Sequence, residues 1–246
     1  NSGFTEAIAL VIDGLGSVKK PWGQETESIF ECSYPNNFKE IHKSYVSNDC
    51  LKDVWSSKIF STNRMNLSRV YEAVTMHLGW SRDEAGKTMG LAPYGKSNPD
   101  LPNLFINKNG NPDVVVICPN KEINHPKYPN RTETFINDAK NPQLELKIYP
   151  KEWHHNKSKI TNLEKDLAWQ IQNSTQQIVG DYIEEAIKKT GLKQVCCAGG
   201  YFLNCVTNYY LQKRFPDVEF YFEPIANDAG TAIGAAKLTW HQLTQD

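Results

Sequence analysis

The chain has 246 residues, 27 of them basic and 28 acidic, so its formal net charge is −1. Such a chain has no global field that would draw it to nucleic acid or to an anionic membrane. Its apolar runs stay well short of the roughly 18 residues of a membrane span, and its first residues lack the basic and apolar regions of a signal peptide. Composition therefore predicts a globular, cytoplasmic protein.

The first predicted element is a buried strand over 7–12, where six apolar residues follow one another. Asp13 and a glycine-containing turn follow it, and residues of this kind tolerate unusual backbone angles. A second strand is predicted over 26–32, where apolar and polar residues partly alternate. Together the two strands predict a hairpin that carries Asp13 at its tip or base.

An amphipathic helix is predicted over 67–79, because apolar residues recur there at spacings of three and four. The next stretch, 84–96, combines several glycines and a proline with apolar residues, which favours a buried or ligand-facing loop. Lys87 and Lys96 flank the glycine-rich loop within this stretch and could neutralise a phosphate, although most lysines are simply solvated.

Residues 97–160 have a different composition, with eight of the 13 prolines in the chain and many asparagines. We predict an irregular or β-rich insertion there, between an N-terminal part over 1–96 and a C-terminal α/β part over 161–246. His154 and His155 suggest a metal site, but adjacent side chains diverge and no third ligand follows at a useful spacing. A solvated pair is the preferred interpretation.

From residue 161 onward the pattern becomes regular. Thr161 and Glu164 have the spacing of a capping box, and a long apolar stripe follows until Gly191. Further along come a buried strand over 194–198, a helix over 203–214, a strand over 218–222 and a closing helix over 231–240. Strand and helix in alternation predict βαβ units and a mostly parallel sheet, so the whole chain is predicted to be a mixed α/β protein.

Three loops follow predicted strand ends, at 13–17, 199–202 and 223–230, and ligands of open α/β sheets lie beyond the carboxyl ends of strands. Gly199 and Gly200 would allow an anion to approach the backbone, with the N–H groups of the next helix aimed at it. A tight strand-to-helix turn would explain the same glycines. Asn204 could either cap that helix or contact a ligand.

Asp13 and Asp228 each follow an apolar strand and lie near glycine. Either carboxylate alone could make an Asx turn or cap a helix. Two carboxylates at the ends of two strands of one sheet also allow a shared divalent cation with oxygen ligands. The cysteines form no CxxC pair that would favour a zinc site, and Cys196 and Cys197 are expected to be small buried hydrophobes.

Three segments resemble the O-carbamoyltransferase family, which includes the nodulation and antibiotic carbamoyltransferases: EAGKTMGLAPYGK (84–96), CCAGGYFLNCVTN (196–208) and EPIANDAGTAIGAA (223–236). The opening GFTEAIALVIDGLGS (3–17) is similar to the segment around the family's first metal-site aspartate. These four stretches occur in the family's order and cover most of the chain.

The resemblance implies an actin/Hsp70-like (ASKHA) α/β fold, incomplete here, with helices on both faces of a mixed sheet. Family members form carbamoyl adenylate from ATP and carbamoyl phosphate and pass the carbamoyl group to a hydroxyl of a sugar or natural product. By resemblance, Asp13 and Asp228 would bind a divalent metal, namely iron or alternatively Mn or Mg. The nucleotide would contact Gly199, Gly200, Asn204 and Gly230. No residue is assigned as the catalytic base.

The family's His-His-x-x-His motif would precede residue 3, and its adenylate-forming C-terminal domain would follow about residue 240. We therefore expect an internal fragment that needs that domain in cis and does not complete the reaction alone. A tRNA threonylcarbamoyl transferase is the alternative enzyme, although the near-neutral charge does not favour RNA. A non-catalytic nucleotide-binding scaffold is the alternative outside enzymes.

Overall fold

The computed structural model describes residues 2–19, 23–46, 67–101, 104–108, 111–114, 117–123, 131–138, 141–147 and 160–244. His154 and His155 lie outside the described residues. Two compact units are formed, the first from Asn1–Lys19, Gln24–Tyr45 and Gln176–Asp246, the second from Lys20–Gly23 and Val46–Thr175. The domain boundaries expected after residues 96 and 160 stay predictions.

The described residues form eleven strands and five α-helices. The strands are β1 (Glu6–Ile12), β2 (Val18–Lys19), β3 (Gly23–Ser33), β4 (Asn37–Val46), β5 (Phe105–Lys108), β6 (Asn111–Val114), β7 (Ile117–Ile123), β8 (Arg131–Asp138), β9 (Asn141–Lys147), β10 (Gln194–Ala198) and β11 (Glu219–Phe222). The helices are α1 (Leu67–His77), α2 (Ala85–Leu91), α3 (Asn162–Thr190), α4 (Cys205–Arg214) and α5 (Gly230–Thr244). None of these helices combines the length and the apolar character that a membrane span requires.

The largest sheet has six strands in the order β11-β10-β1-β3-β2, with β4 also paired to β3. Strands β1, β10 and β11 are parallel, whereas β1 and β3 are antiparallel. The predicted βαβ pattern is therefore confirmed for the C-terminal strands, and the sheet as a whole is mixed. The predicted hairpin is also confirmed, because Ile12 pairs with Glu27 and Asp13 follows directly beyond this pair.

One face of this sheet forms the core of the first unit. Ile8, Leu10 and Ile12 are completely buried and share a face with Glu27, since Ile12 and Glu27 are cross-strand partners. The C-terminal half of α3 covers this face, and the ring of Tyr182 lies 5.4 Å from the ring of His42 on β4. The buried side chains of α3 and the strands supply the apolar contacts that dominate folding free energy.

Ion pairs connect α4 to α3. The Arg214 guanidinium donates to Asp181 over 2.7 Å and to Glu184 over 2.9 Å. Gly180 makes room for it, because a Cβ at this position would lie 2.2 Å from the Arg214 guanidinium. The pairing fixes the helix that connects β10 to β11, and thereby the loop that precedes that helix.

The core of the second unit lies between α1, α2 and the start of α3. Its buried members are Val70, Tyr71, Val74, Leu78, Leu91, Ala92, Leu101, Leu104, Leu167, Ala168 and Ile171. Two buried hydrogen bonds support it, one between the hydroxyls of Thr75 and Thr88 and one from Tyr71 Oη to Gln172. Strands β5 and β6 pair with each other, and β7, β8 and β9 form a separate antiparallel sheet.

The prediction of a loop over 84–96 is wrong, because most of this stretch is helical. Helix α2 is followed by a 3-10 turn over Ala92–Tyr94 and preceded by one over Arg82–Glu84. The signal that was missed is a capping box, in which the backbone N–H of Ser81 donates to the Glu84 carboxylate over 2.8 Å. Buried Thr88 and Leu91 then hold the helix against the core, which outweighs the low helix propensity of glycine.

Gly95 marks a close approach of two backbones. A Cβ there would lie 2.0 Å from the carbonyl oxygen of Lys165 in the first turn of α3. Next to it, the Lys96 N–H donates to Asp166 over 3.0 Å, as does the amide of Asn98. This turn therefore needs a residue without a side chain in order to reach α3.

The capping box predicted at the start of α3 is confirmed. The Thr161 N–H donates to the Glu164 carboxylate over 2.8 Å, and the Glu164 N–H donates to the Thr161 hydroxyl over 3.4 Å. This reciprocal arrangement satisfies two of the N–H groups that a helix N-terminus leaves without partners.

We expect Thr161→Ala to lower the free energy of unfolding by about 1 kcal/mol, since it removes the capping hydroxyl from a long helix. Urea denaturation followed by circular dichroism measures this loss. Thr161→Ser keeps the hydroxyl and is the matched control. Equal stability of the alanine and serine variants would show that the cap contributes nothing.

Candidate functional site

Three loops meet at one edge of the mixed sheet. Strands β1, β10 and β11 are parallel neighbours, so the segments after Ile12, Ala198 and Phe222 all leave the sheet at its carboxyl edge. Ligands of open α/β sheets bind at such an edge. The arrangement brings the segments of the first unit that contain the predicted site residues to a common place.

Gly199 lies between the end of β1 and the loop after β11. Its backbone N–H donates to the carbonyl oxygen of Ala226 over 2.9 Å, which joins the loop after β10 to the loop after β11. Its φ of 94° and ψ of 153° fall in a region that is essentially restricted to glycine. A Cβ at this position would lie 2.1 Å from the carbonyl oxygen of Ile12, so the end of β1 presses directly on this residue.

Gly200 lies beside the carboxylate of Asp13. A Cβ on Gly200 would be 3.0 Å from Asp13 Oδ1 and, among the described residues beyond its chain neighbours, would meet no other atom within 4 Å. The same oxygen accepts a hydrogen bond of 2.8 Å from the Gly14 N–H. A ligand could therefore approach the backbone of Gly200 and the Asp13 carboxylate together.

Asn204 caps α4, which is one of the two roles that the sequence left open. Its side-chain oxygen accepts a hydrogen bond of 3.0 Å from the Thr207 N–H. The helix predicted to begin at residue 203 begins at Cys205, because Gly200–Leu203 forms a 3-10 turn and Asn204 has non-helical angles. Contact between Asn204 and a nucleotide stays a prediction.

The loop after β11 is a tight turn before α5. The side chain of Asn227 accepts from the Ala229 N–H over 3.1 Å, so Asn227 makes the Asx-type turn that was one of the roles expected for Asp228. Asp228 itself is exposed, and its backbone carbonyl accepts from the Thr231 N–H. Gly230 is required for close packing, since a Cβ there would lie 2.2 Å from the carbonyl oxygen of Ile225.

Sequence reasoning missed two participants in this site. The Asn227 turn had a readable signal, because Asn before a run of small residues commonly hydrogen-bonds the backbone two residues on. The carbonyl of Ala226 had none, since any residue offers such a group. The structure thus adds one side chain and one backbone atom to the predicted set.

The donor set of this edge is compatible with a divalent cation. Asp13 and Asp228 both follow parallel strands of one sheet and supply the hard oxygen donors that Mg²⁺ and Mn²⁺ prefer. Within the described ranges, no three His, Cys, Asp or Glu side chains form a group that could hold a metal ion. The two aspartates are therefore at most part of a coordination sphere, and their convergence on one ion stays a prediction.

The thiols of β10 are not suited to metal or nucleophilic chemistry. Burial raises the pKa of the Cys196 thiol and, even more clearly, that of the completely buried Cys197. Both side chains therefore remain protonated at neutral pH, and the thiolate is the reactive form. This agrees with the expectation that they are small hydrophobes.

Lys87 and Lys96 belong to the second unit. Lys87 is exposed and forms an ion pair with Glu84, three residues earlier on the same turn. Lys96 is also exposed, and its backbone N–H rather than its ammonium group makes the contact with Asp166. Binding of a substrate phosphate by these lysines stays a prediction.

Comparison with known proteins identifies the family. The family described as "Carbamoyltransferase N-terminus" matches residues 1–237. An uncharacterised protein of Synechocystis is 30% identical over 182 residues, which are 74% of this chain and 28% of that protein. The nodulation protein NolNO of Sinorhizobium fredii is 28% identical over 180 residues, which are 73% of this chain and 24% of that protein.

These relatives are much longer than the part that matches, and this chain spans about a quarter of their length. Among solved structures, the fold is similar to the crystal structure of full-length HypF in its phosphate- and nucleotide-bound form. The TM-score is 0.51 at 14% identity, and the match covers 95% of this chain and 39% of HypF. At that identity the likeness concerns the fold alone.

Proposed function

The chain belongs to the carbamoyltransferase family, whose N-terminal region it matches over residues 1–237, and on this premise we propose that it is the nucleotide-binding part of an ATP-dependent O-carbamoyltransferase. The resemblance expected from the four sequence motifs is thus confirmed at the level of the family. The reaction, the nucleotide and the acceptor belong to the proposal.

One observation carries the proposal, namely the close approach of three backbones at the carboxyl edge of the sheet. Gly199 touches the end of β1 through Ile12 and binds the loop after β11 through Ala226. A glycine-lined edge of this kind, followed by a turn and a helix, offers backbone N–H groups to an anion. The fold of the chain is also similar to that of HypF, whose crystal structure is of a phosphate- and nucleotide-bound form.

In this proposal the glycines let phosphate groups approach the main chain. Gly200 would face the phosphates, and Gly230 would keep the loop after β11 close to them. Asn204 would contribute mainly by fixing the start of α4, because its side-chain oxygen is already engaged with Thr207. Donors that are held in place before the ligand arrives lose little free energy through reorganisation.

Asp13 and Asp228 would hold the divalent cation, for which the family resemblance suggests iron and the oxygen donors also allow Mn or Mg. When bound, such a cation neutralises phosphate charge and polarises a carbonyl group. The residues of this chain would place it, with the Gly14 N–H orienting one Asp13 oxygen over 2.8 Å.

The proposed transfer uses carbamoyl adenylate, made from ATP and carbamoyl phosphate by an adenylate-forming domain in cis. The acceptor hydroxyl oxygen attacks the carbamoyl carbon, the bond from that carbon to the phosphate oxygen breaks and AMP leaves. A general base takes the hydroxyl proton. The acceptor is proposed to be a small molecule such as a sugar or natural product, since the net charge of −1 provides no field for RNA.

Isothermal titration with ATP in the presence of Mn²⁺ tests the proposal directly. We expect the chain to bind ATP and Gly200→Val to weaken binding at least tenfold, about 1.4 kcal/mol, because the added side chain fills the space beside Asp13. The matched control is Gly86→Val, at an exposed position where an added Cβ meets no atom within 4 Å.

Absence of ATP binding by the unaltered chain would favour a scaffold without nucleotide. Equal weakening in both glycine variants would place the nucleotide elsewhere. Circular dichroism of each variant separates loss of binding from loss of folding.

A further inference from the structure

The 3-10 turn over Gly200–Leu203 connects β10 to α4 and begins with the glycine that is proposed to face the phosphates. Inside it, the Phe202 N–H donates to the Gly199 carbonyl over 3.0 Å. The Asn204 N–H donates to the Tyr201 carbonyl, also over 3.0 Å. Hydrogen bonds of this kind have poorer geometry than those of an α-helix, which keeps such turns short. The conformation of this turn therefore depends on contacts with its surroundings.

Side chains from the first turn of α4 hold the 3-10 turn in place. The hydroxyls of Thr207 and Tyr201 form a buried hydrogen bond of 3.2 Å. From the following residue, Asn208 Nδ2 donates to the Phe202 carbonyl over 2.9 Å. Asn204 has non-helical angles, so the series of backbone hydrogen bonds is interrupted there, and the Phe202 carbonyl receives a side-chain donor instead. Asn208 thus fixes the direction of a carbonyl within the turn.

The amide of Asn208 can bind in only one orientation. With the amide turned over, Oδ1 would face the Phe202 carbonyl oxygen, and neither atom could donate a hydrogen bond. In the observed orientation Oδ1 is buried and, in the part of the chain that the structure describes, accepts no hydrogen bond. The net gain from one hydrogen bond does not exceed the cost of leaving one polar atom buried without a partner. The side chain therefore contributes little to the stability of the fold, and what it supplies is the direction of the carbonyl.

We propose that Asn208 is a positioning residue for the nucleotide, which holds the turn over Gly200–Leu203 in the conformation that binds phosphate. The inference rests on the proposed function, because it concerns the same site. In this conformation the backbone of Gly200 lies beside the Asp13 carboxylate, since an added Cβ would be 3.0 Å from Asp13 Oδ1. Phe202 is only 3% exposed, so without the Asn208 amide the turn should rotate until the Phe202 carbonyl meets water. That rotation would move Gly200 away from the proposed place of the phosphates.

Isothermal titration of the full chain with ATP and Mn²⁺ tests this role. We expect Asn208→Leu to weaken ATP binding about tenfold, because the apparent affinity falls with the fraction of molecules whose turn is in the binding conformation. The urea midpoint should shift by less than about 0.5 M, since the substitution also removes the buried Oδ1. Asn98→Leu is the matched control and should leave ATP affinity unchanged. Asn98 Nδ2 also donates a hydrogen bond, 3.0 Å to Asp166, but in the second unit.

The pH profile of Asn208→Asp separates positioning from a merely structural role. A carboxylate cannot donate to the Phe202 carbonyl, whereas a protonated carboxyl group can. Burial and the facing carbonyl oxygen should raise the pKa of the introduced carboxyl group above that of an ordinary aspartate. Relative to the unaltered chain at the same pH, we expect ATP binding to be about tenfold weaker at about pH 8 and to recover to within about threefold at about pH 5. Asn208→Leu should show the same loss at both pH values.

Amide hydrogen exchange without any ligand keeps this role separate from the proposed function. Asn208→Leu should speed exchange of the Asn204 N–H at least about tenfold, because its hydrogen bond lies within the turn. Unchanged exchange would overturn the positioning role, and so would ATP affinity of Asn208→Leu equal to that of the unaltered chain. Failure of Asn208→Asp to recover at the lower pH would overturn it too. An unaltered chain that binds no ATP would instead refute the proposed function, and with it any role of Asn208 toward a nucleotide.

Discussion

Replacing Gly199 with alanine should lower the free energy of unfolding by about 3 kcal/mol, the largest stability effect that we expect from one methyl group in this chain. Two costs combine at this position. The backbone angles of φ 94° and ψ 153° lie in a region that alanine avoids, and the new Cβ would lie 2.1 Å from the carbonyl oxygen of Ile12. Relief of that contact requires β1 and β10 to separate at the edge where the loops meet.

Gly191→Ala is the control that separates the two costs. Gly191 also has a positive φ, 74°, but an added Cβ would meet no atom within 4 Å. Gly191→Ala should therefore lower the free energy of unfolding by only about 1 kcal/mol, the cost of a left-handed backbone angle alone. Urea denaturation of both variants gives the comparison. If the Gly199 variant were as stable as the Gly191 variant, the backbones at the sheet edge would not be as close as the structure has them.

Local patterns were sufficient to predict most elements of the first unit. The apolar run over 7–12 and the glycines after residue 198 each reflect the conformation of a few neighbouring residues, and strand, turn and helix appear there as expected. The capping box of Thr161 and Glu164 was also predicted correctly, because it is a contact between residues only three positions apart. Elements with strong local signals can be predicted without knowing what packs on them.

The stretch over 84–96 shows where such reasoning fails. Its glycines suggested a loop, but the helical state is decided by Thr88 and Leu91, which pack into a core assembled from distant segments. The same holds for Gly95, whose role depends on the Lys165 carbonyl, seventy residues later. Tertiary packing commonly overrides propensity in short elements, and apart from the Ser81 and Glu84 capping box the sequence gives no indication of this packing.

In the candidate site, too, some features could be predicted from the sequence and others could not. Parallel strand ends could be inferred from the order of strands and helices, so the common edge of the three loops was predictable. The hydrogen bond between Gly199 and Ala226 and the approach of Gly200 to Asp13 depend on how the strands align in register. Nothing local to those residues specifies that register, and the structure was needed to show it.

We expect Asp228→Asn to weaken Mn²⁺ binding at least about 100-fold. Loss of a group that only supports a metal ligand already costs 10–100-fold, so loss of a ligand should cost at least as much. The free energy of unfolding should change by less than about 0.5 kcal/mol, because Asp228 is exposed on a loop. Titration calorimetry with MnCl₂ and ATP gives the affinity. Asp217→Asn is the control, since it is an exposed aspartate at the opposite end of β11.

The pair Asp13 and Asp228 can also be tested for a shared ion. Asp13→Asn keeps an acceptor for the Gly14 N–H and removes only the charge. If both carboxylates bind one cation, each single variant loses most of the affinity and the double variant loses little more, as for residues that act as a unit. Fully additive losses would indicate two independent sites. Unchanged Mn²⁺ affinity in Asp228→Asn would remove this aspartate from the metal site, while leaving the glycine-lined edge as the place of the nucleotide.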